Sequence, residues 1–431
     1  MKRSIVWFTT DLRLRDNETL VQAIQLSDEI IPVYCIDEQH FQTSEFGFKK
    51  TGNFRTQFLL ESLADLDKSL RELGSGLLVV KGMPEKEIYQ LAEKYKVQKV
   101  FTKHQVGHEE LITQSKVAIE VKKINASVET FDTTTFYHPN DLPFSIKSIP
   151  DVFTDFRKRA EKEATVKKCF TAPESISSPS IEKLFLPSLS ELGLENISFD
   201  CRAAYPFKGG ETEGNKRVYN YLIETHAIAS YKETRNGLIG ENYSSKFSPW
   251  LAFGCISPKM IYHEIKKYES LHVANDSTYW LLFELLWRDY FQFMMRKYST
   301  HFFTLNGINK RMGLRNKHHA DVFEKWKSGN TANDFINANM IELKQTGFMS
   351  NRGRQNVASY LCHDLKLDWR YGAAYFEEQL IDYDVASNWC NWAYIAGVGN
   401  NPRGVSIFNI DKQANDYDKN KLYRNLWLTK N

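Results

Sequence analysis

Three groups of residues in this chain have the types and spacing to do chemistry. Ser244, Ser245 and Ser248 gather just ahead of Pro249, with Lys246 and Phe247 among them. Hydroxyls and backbone N–H groups where a proline starts a helix make an anion site, although a serine cluster of this kind is also an ordinary cap. Arg354 stands on one helical pattern and Asp382 and Asp384 on the approach to another. Such a set is by default a surface or interhelical ion pair. Glu284, Trp287 and Arg288 follow one another at i, i+3 and i+4, an acid, an aromatic ring and a cation on one helix face. By itself the tryptophan is core packing. His104 and His108 are spaced i, i+4, but no third ligand accompanies them, and no metal site is expected.

The elements that must position these side chains fall into two textures. In the first part, Ser4 to Phe8, Ile30 to Ile36, Leu77 to Val80, Val100 to Thr102 and Val128 to Phe131 read as short buried strands. Helical patterns separate them, clearest from Phe54 to Leu73, where Phe58, Leu59, Leu63, Leu66 and Leu70 recur at helical spacing. This alternation predicts a parallel, Rossmann-like sheet with helices on both faces. No GxGxxG follows the first strand, which disfavours a nicotinamide-dinucleotide site. Residues 171–195, rich in Ser and Pro, read as a long loop over the surface. From about Glu211 helical patterns dominate, and eight of the nine tryptophans lie at or beyond Trp250. The division expected is an α/β domain over 1–131, a connector over 132–210 and a helical domain over 211–431.

Composition narrows the class. With 42% hydrophobic and 25% charged residues, the chain can bury a large core as a soluble protein. A net charge of +3 is too small to point to a polyanion without a local basic patch. No apolar run approaches a membrane span, and MKRSIVWF leads into a strand rather than a signal peptide, so a cytoplasmic monomer is expected. The six cysteines show no CxxC pairing and read as reduced structural thiols.

Four segments carry a resemblance. WFTTDLRLRDNETL is similar to the opening strand and turn of the photolyase/cryptochrome family, with Thr10 where an arginine is commoner. ENYSSKFSPWLAFGCISP resembles the family's phosphate-gripping loop, and FELLWRDYF the helix after it. TGFMSNRGRQNVASYL and IDYDVASNWCNWAYIAGVGNNPR are close to the form of the DASH-type members. The similarity spans essentially the whole chain. It implies an α/β antenna-type domain followed by an all-α FAD-binding domain.

The resemblance also implies roles, residue by residue. Tyr231, Ser244, Ser245, Lys246, Phe247, Ser248, Glu284, Arg288 and Asn351 match positions around FAD, the serine loop holding its pyrophosphate. Arg354 paired with Asp382 is expected beneath the flavin ring, with Asp384 at the ring edge or ribityl chain. Asn388 matches the position facing the reactive flavin nitrogen, where a neutral amide offers hydrogen bonds without a titrating charge. Trp287 matches the platform for a flipped pyrimidine dimer, and Glu284 the group that bonds its base edge. Tyr394 and Gln355 stand where duplex-specific photolyases place a tryptophan and a methionine. Arg235, Arg352 and Arg403 match, or lie near, phosphate-contacting positions, with Ser406 where an arginine is frequent. Trp392 and Trp369 match the inner members of an electron-transfer chain whose outer member is replaced in the region of Asn316 and His318; Trp326 reads as a structural helix residue. Glu109 and Glu110 lie where folate-binding members hold the pterin of methenyltetrahydrofolate, with Glu110 the antenna contact.

The activity expected by resemblance is blue-light repair of cyclobutane pyrimidine dimers in damaged DNA, single-stranded or locally unpaired. The alternative is a photosensor in which the same cofactor drives a signal without turnover. A chain ending at Asn431, soon after the cofactor domain, favours the enzyme.

Overall fold

The computed structural model describes residues 1–309, 318–405 and 407–429. Its first part is a five-stranded parallel sheet of β1 (Arg3–Phe8), β2 (Glu29–Asp37), β3 (Leu78–Gly82), β4 (Lys99–Lys103) and β5 (Ser127–Phe131), in the order β3-β2-β1-β4-β5. β1 is central and apolar on both faces, with Ile5, Val6 and Phe8 fully buried, as a strand covered on both sides must be. Pro32 lies in β2 but costs no ladder bond to β3, because β3 pairs only from Val33 onward. Helices α1 (Glu18–Leu26), α2 (Asn53–Glu72), α3 (Pro84–Lys94) and α4 (His108–Lys122) complete this layer. The switch in strand order falls between β1 and β4, which puts the natural crevice at the carboxyl ends of those strands.

After β5 the chain forms α5 (Phe153–Glu163) and then runs without helix or strand from 164 to 189. Backbone bonds stitch this stretch to the α/β layer: Asp16 N–H to Phe170 O, Ile176 N–H to Leu73 O and Ile30 N–H to Ser177 O. The rest is helical: α6 (Glu211–Tyr219) continuing into a π-turn (Asn220–Glu224), α7 (Tyr231–Thr234), α8 (Ser248–Ala252), α9 (Pro258–Leu271) and α10 (Asp276–Tyr298). Then come α11 (Ala320–Lys327), α12 (Asp334–Thr346), α13 (Asn351–Ser359), α14 (Trp369–Gln379), α15 (Val385–Ile395), α16 (Ile410–Tyr417) and α17 (Leu422–Leu428). Among the described residues no helix is long and apolar enough to cross a membrane.

α10 organises the second half. Asn275 caps it in a reciprocal capping box with Thr278, and the helix is buried on one side from Leu281 to Leu286 and all round from Asp289 to Met295. It also fastens the connector. The buried Asp289 carboxylate accepts the N–H groups of Phe136 and Tyr137, at 3.0 Å each. Burial raises the pKa of this carboxyl to about 8, against the pull of those two N–H groups and of Arg288.

Candidate cofactor and substrate site

The helices enclose a cavity of about 1370 Å³ of atom-free space, part of it open to solvent. Tyr231, Ser244, Ser245, Lys246, Phe247, Ser248, Glu284, Arg288, Asn351, Arg354, Asp382, Asp384 and Asn388 all line it, and so do Arg235, Gln355 and Trp392. Residues separated by more than a hundred positions therefore meet in one space.

On one wall Arg354, near the start of α13, directs Nη2 at both oxygens of Asp382, at 3.0 and 2.8 Å, and Nε at Met349 O at 2.9 Å. The Asp382 side chain is 1% exposed and the Arg354 side chain 26%. The carboxylate is sealed while part of the guanidinium stays open. Asp384 caps α15 by accepting Ser387 N–H at 2.7 Å, and both its oxygens accept from Gln292 Nε2 at 2.9 Å. One turn on, Asn388 donates through Nδ2 to Ala373 O at 3.0 Å, which fixes the orientation of the amide.

The opposite wall is the loop before α8. That helix has five residues, too few for a strong macrodipole, so the loop's own groups must hold an anion. Lys246 sits at φ +60°, and its ammonium lies 2.9 Å from the centre of the Tyr243 ring and 3.3 Å from Ser244 Oγ. Burial pushes that ammonium well below its ordinary pKa.

The helix-face reading of Glu284, Trp287 and Arg288 holds for two of the three. Glu284 and Arg288 line the cavity; Trp287 does not. At 3.6 residues per turn Arg288 is about 40° from Glu284 on one side and Trp287 about 60° on the other. Trp287 turns instead to Phe153, which covers one ring face at a centroid distance of 3.7 Å and 13° between planes; Tyr394 meets it edge-on at 6.0 Å. Arg288 lines the cavity while its guanidinium bonds Thr134 O at 2.6 Å and Leu251 O at 3.2 Å, so its donors fasten backbone.

The three arginines expected at phosphate differ in setting. Arg235 is ion-paired to Glu284. Arg352 donates to Asn236 Oδ1 at 2.9 Å and Gln413 Oε1 at 3.3 Å and lies over the Tyr417 ring. Arg403 is exposed on a loop, and Ser406 lies outside the described residues. Burial lifts the Glu284 carboxyl above the ordinary range even with Arg235 beside it.

Trp392 is 3% exposed and lies so close to α14 that a Cβ on Gly372 would fall 2.3 Å from its ring. Trp369 is fully buried, its N–H on Leu305 O at 3.0 Å and its ring against Trp389 at 5.9 Å. Asn316 lies outside the described residues; His318 stacks on Tyr371 at 3.6 Å. Trp326 is fully buried, its indole N–H on Val357 O at 3.1 Å.

A second cavity, about 1470 Å³, opens at the carboxyl ends of β1, β2 and β4. Trp7 to Thr10, Cys35 to Asp37 and Lys103 line it from the sheet, and Glu109, Glu110, Arg55 and Glu377 from the helices. Glu110 also borders a cleft containing Trp389 and Phe46, and Glu109 is ion-paired to Lys50. Tyr383 and Asp384 line both this cavity and the helical one. Tyr383, Ser387 and Asn391 line the helical cavity without having been singled out in the sequence. All three sit inside the IDYDVASNWCNW stretch, so its spacing already marked them.

FAD fits the helical cavity in its polar groups: a part-open guanidinium and a buried ammonium to donate, and the buried Gln355 Oε1 to accept, which has no partner among the described residues.

Comparison with known proteins agrees. The family model for DNA photolyase matches residues 4–176, and that for the FAD binding domain of DNA photolyase matches residues 280–430. A cryptochrome DASH of Gloeobacter violaceus is 46% identical, over 99% of this chain and 85% of its own length. One of Danio rerio is 48% identical, over 97% of this chain and 81% of its own. The crystal structure of a Synechocystis cryptochrome superposes with a TM-score of 0.96 at 45% identity, covering 99% of this chain and 89% of that one. The chain belongs to the photolyase/cryptochrome family, on its DASH branch, and its helical half is the family's FAD-binding domain.

Proposed function

We propose that this protein is a blue-light-driven, FAD-dependent lyase that splits cyclobutane pyrimidine dimers, with single-stranded or locally unpaired DNA as its preferred substrate. One observation carries the reading. Glu284 and Gln355, on the substrate side, open into the same cavity as Asn388 and the Arg354–Asp382 pair, on the cofactor side. When bound and reduced, FAD supplies on illumination the electron that opens the cyclobutane ring.

The protein's own groups do the rest. Arg354 presents a cation to the cofactor while Asp382 holds it in place. Asn388, oriented by Ala373 O, offers an amide that has no proton to lose in the working range. Glu284 bonds a base edge, and burial shifts its carboxyl toward the protonated form, which donates as well as accepts. Trp287, backed by Phe153 and edged by Tyr394, stacks the extruded dimer with one strong face. Arg235, Arg352 and Arg403 contact phosphates without reading sequence. A folate antenna, methenyltetrahydrofolate, sits against Glu110, where the interdomain cavity and the Trp389 cleft adjoin. The working division is 1–131 for the antenna, 132–210 for the connector and 211–431 for the cofactor and DNA.

The deciding experiment is blue-light turnover of a single dimer in single-stranded and in duplex oligonucleotides, using the purified, reduced, flavin-loaded protein. Faster repair of the single strand is expected. No repair of either would move the reading to a photosensor.

A further inference from the structure

Arg217 is 1% exposed and makes no contact with the cavity, yet it holds the cavity's serine loop in shape. Its Nε donates to Ser245 O at 3.0 Å; Nη2 donates to Glu241 O at 3.0 Å and Ser244 O at 3.3 Å; Nη1 donates to Asn242 Oδ1 and Asn220 Oδ1, both at 3.0 Å. That uses all the N–H donors of a guanidinium. The group lies over the rings of Tyr205 and Tyr221, at 4.7 and 5.2 Å.

The stereochemical consequence follows from the trans peptide, in which C=O and N–H point opposite ways. With the carbonyls of Glu241, Ser244 and Ser245 drawn to Arg217, the N–H groups of Asn242, Ser245 and Lys246 point away from it. Among the described residues, the N–H groups of Ser245 and Lys246 have no protein acceptor. Ser244 to Ser248 line the cavity, and Arg217 behind them does not. A cation that collects carbonyls from behind thus makes the front of the loop a surface of donors.

We infer that Arg217 is a positioning residue for the FAD diphosphate, acting through the 241–248 loop. The inference rests on the reading that this loop grips the diphosphate. Lysine cannot replace it, because an ammonium has no planar fork to span three carbonyls and two amide oxygens.

The test separates phosphate grip from general stability. The full-length wild type and Arg217→Lys are titrated with FAD and with riboflavin, which has the ring and ribityl chain but no phosphate, by flavin fluorescence quenching. The expected result is a loss of about tenfold or more in FAD affinity with riboflavin affinity unchanged. An unchanged ratio of the two affinities, whether both fall or neither does, overturns the inference. Equal affinity of the wild type for both ligands overturns the loop reading beneath it as well. If Arg217→Lys does not fold, Asn242→Ala removes one acceptor of the clamp and leaves the guanidinium in place. It is expected to shift the same ratio by a few-fold, and no shift there overturns the proposal.

Discussion

Arg235 and Glu284 form an ion pair in the wall of the cofactor cavity, although they serve different partners in the proposed function, one the phosphate backbone and the other the base edge. DNA that draws Arg235 onto a phosphate leaves Glu284 without its cation. Burial already raises that carboxyl's pKa, and Arg235 is the main group opposing the rise, with Trp280 beside it. Engaging the backbone therefore pushes Glu284 toward its protonated, donating form. Arg235→Gln should mimic this: the inflection of dimer binding that Glu284→Gln abolishes should move to higher pH. An inflection at the wild-type pH in Arg235→Gln would mean that the pair is ornamental.

Asp382→Ala strands the Arg354 guanidinium beside a sealed pocket. Breaking a buried pair costs about 3–5 kcal/mol, toward the lower end here because Arg354 is part-open. The variant should purify largely colourless, with a fall of severalfold or more in the flavin-to-protein absorbance ratio. Full retention of yellow colour would remove the pair from the cofactor's wall.

The strand preference proposed for the lyase rests on the one-sided stack at Trp287. Extruding a dimer from a duplex costs a few kcal/mol, and least when it is already single-stranded. Each deficit of about 1.4 kcal/mol is tenfold in binding. Tyr394→Trp combined with Gln355→Met should narrow the gap between duplex and single-stranded repair rates at matched salt. Trp287→Ala should abolish both. Binding of either substrate should weaken as salt rises.

Asp289 gives a pH dependence of stability. Its carboxyl ionises near 3.8 when unfolded and at about 8 when folded. The folded state therefore holds more protons through that window, and stability falls as pH rises across it. Asp289→Asn keeps an acceptor for the Phe136 and Tyr137 N–H groups and removes the titration. Its unfolding free energy from urea titrations should fall less steeply between about pH 4 and 8 than the wild type's, a difference on the order of a few kcal/mol across the window. Parallel curves would place the proton elsewhere.

Gly372→Ala should destabilise rather than stabilise, despite alanine's higher helix propensity. The added Cβ meets the Trp392 ring at 2.3 Å, and overpacking costs about 1–3 kcal/mol. Urea denaturation followed by far-UV dichroism would check the sign.

The strands and the Phe54–Leu73 helix were legible in the sequence because their apolar periodicity is local; the helix runs Asn53–Glu72. The cavity residues were legible because they sit in contiguous stretches with a marked composition. Arg217 was not. It stands in GNKRVYNYL, an ordinary helical pattern, and all its partners but Asn220 arrive 24 to 28 residues later through a loop whose path the pattern does not encode. The turn of Trp287 toward Phe153 was hidden for a similar reason. Spacing gives an angle on the helix, but it does not encode that Phe153, at the start of α5, is the neighbour that claims that angle.

Tyr383 and Asp384 separate two large cavities by the thickness of adjacent side chains. A partition this thin cannot be altered for the sake of one room only. A bulkier residue there crowds one occupant, and a smaller one joins the two spaces. Drift in antenna preference among relatives should therefore be written at Lys50 and Glu109 of the sheet cavity rather than at Arg55, whose guanidinium lies 4.5 Å over the Tyr383 ring. Directed evolution toward a different light-collecting pigment has the same address: libraries confined to Lys50 and Glu109 leave the partition, and with it the cofactor's seat, untouched.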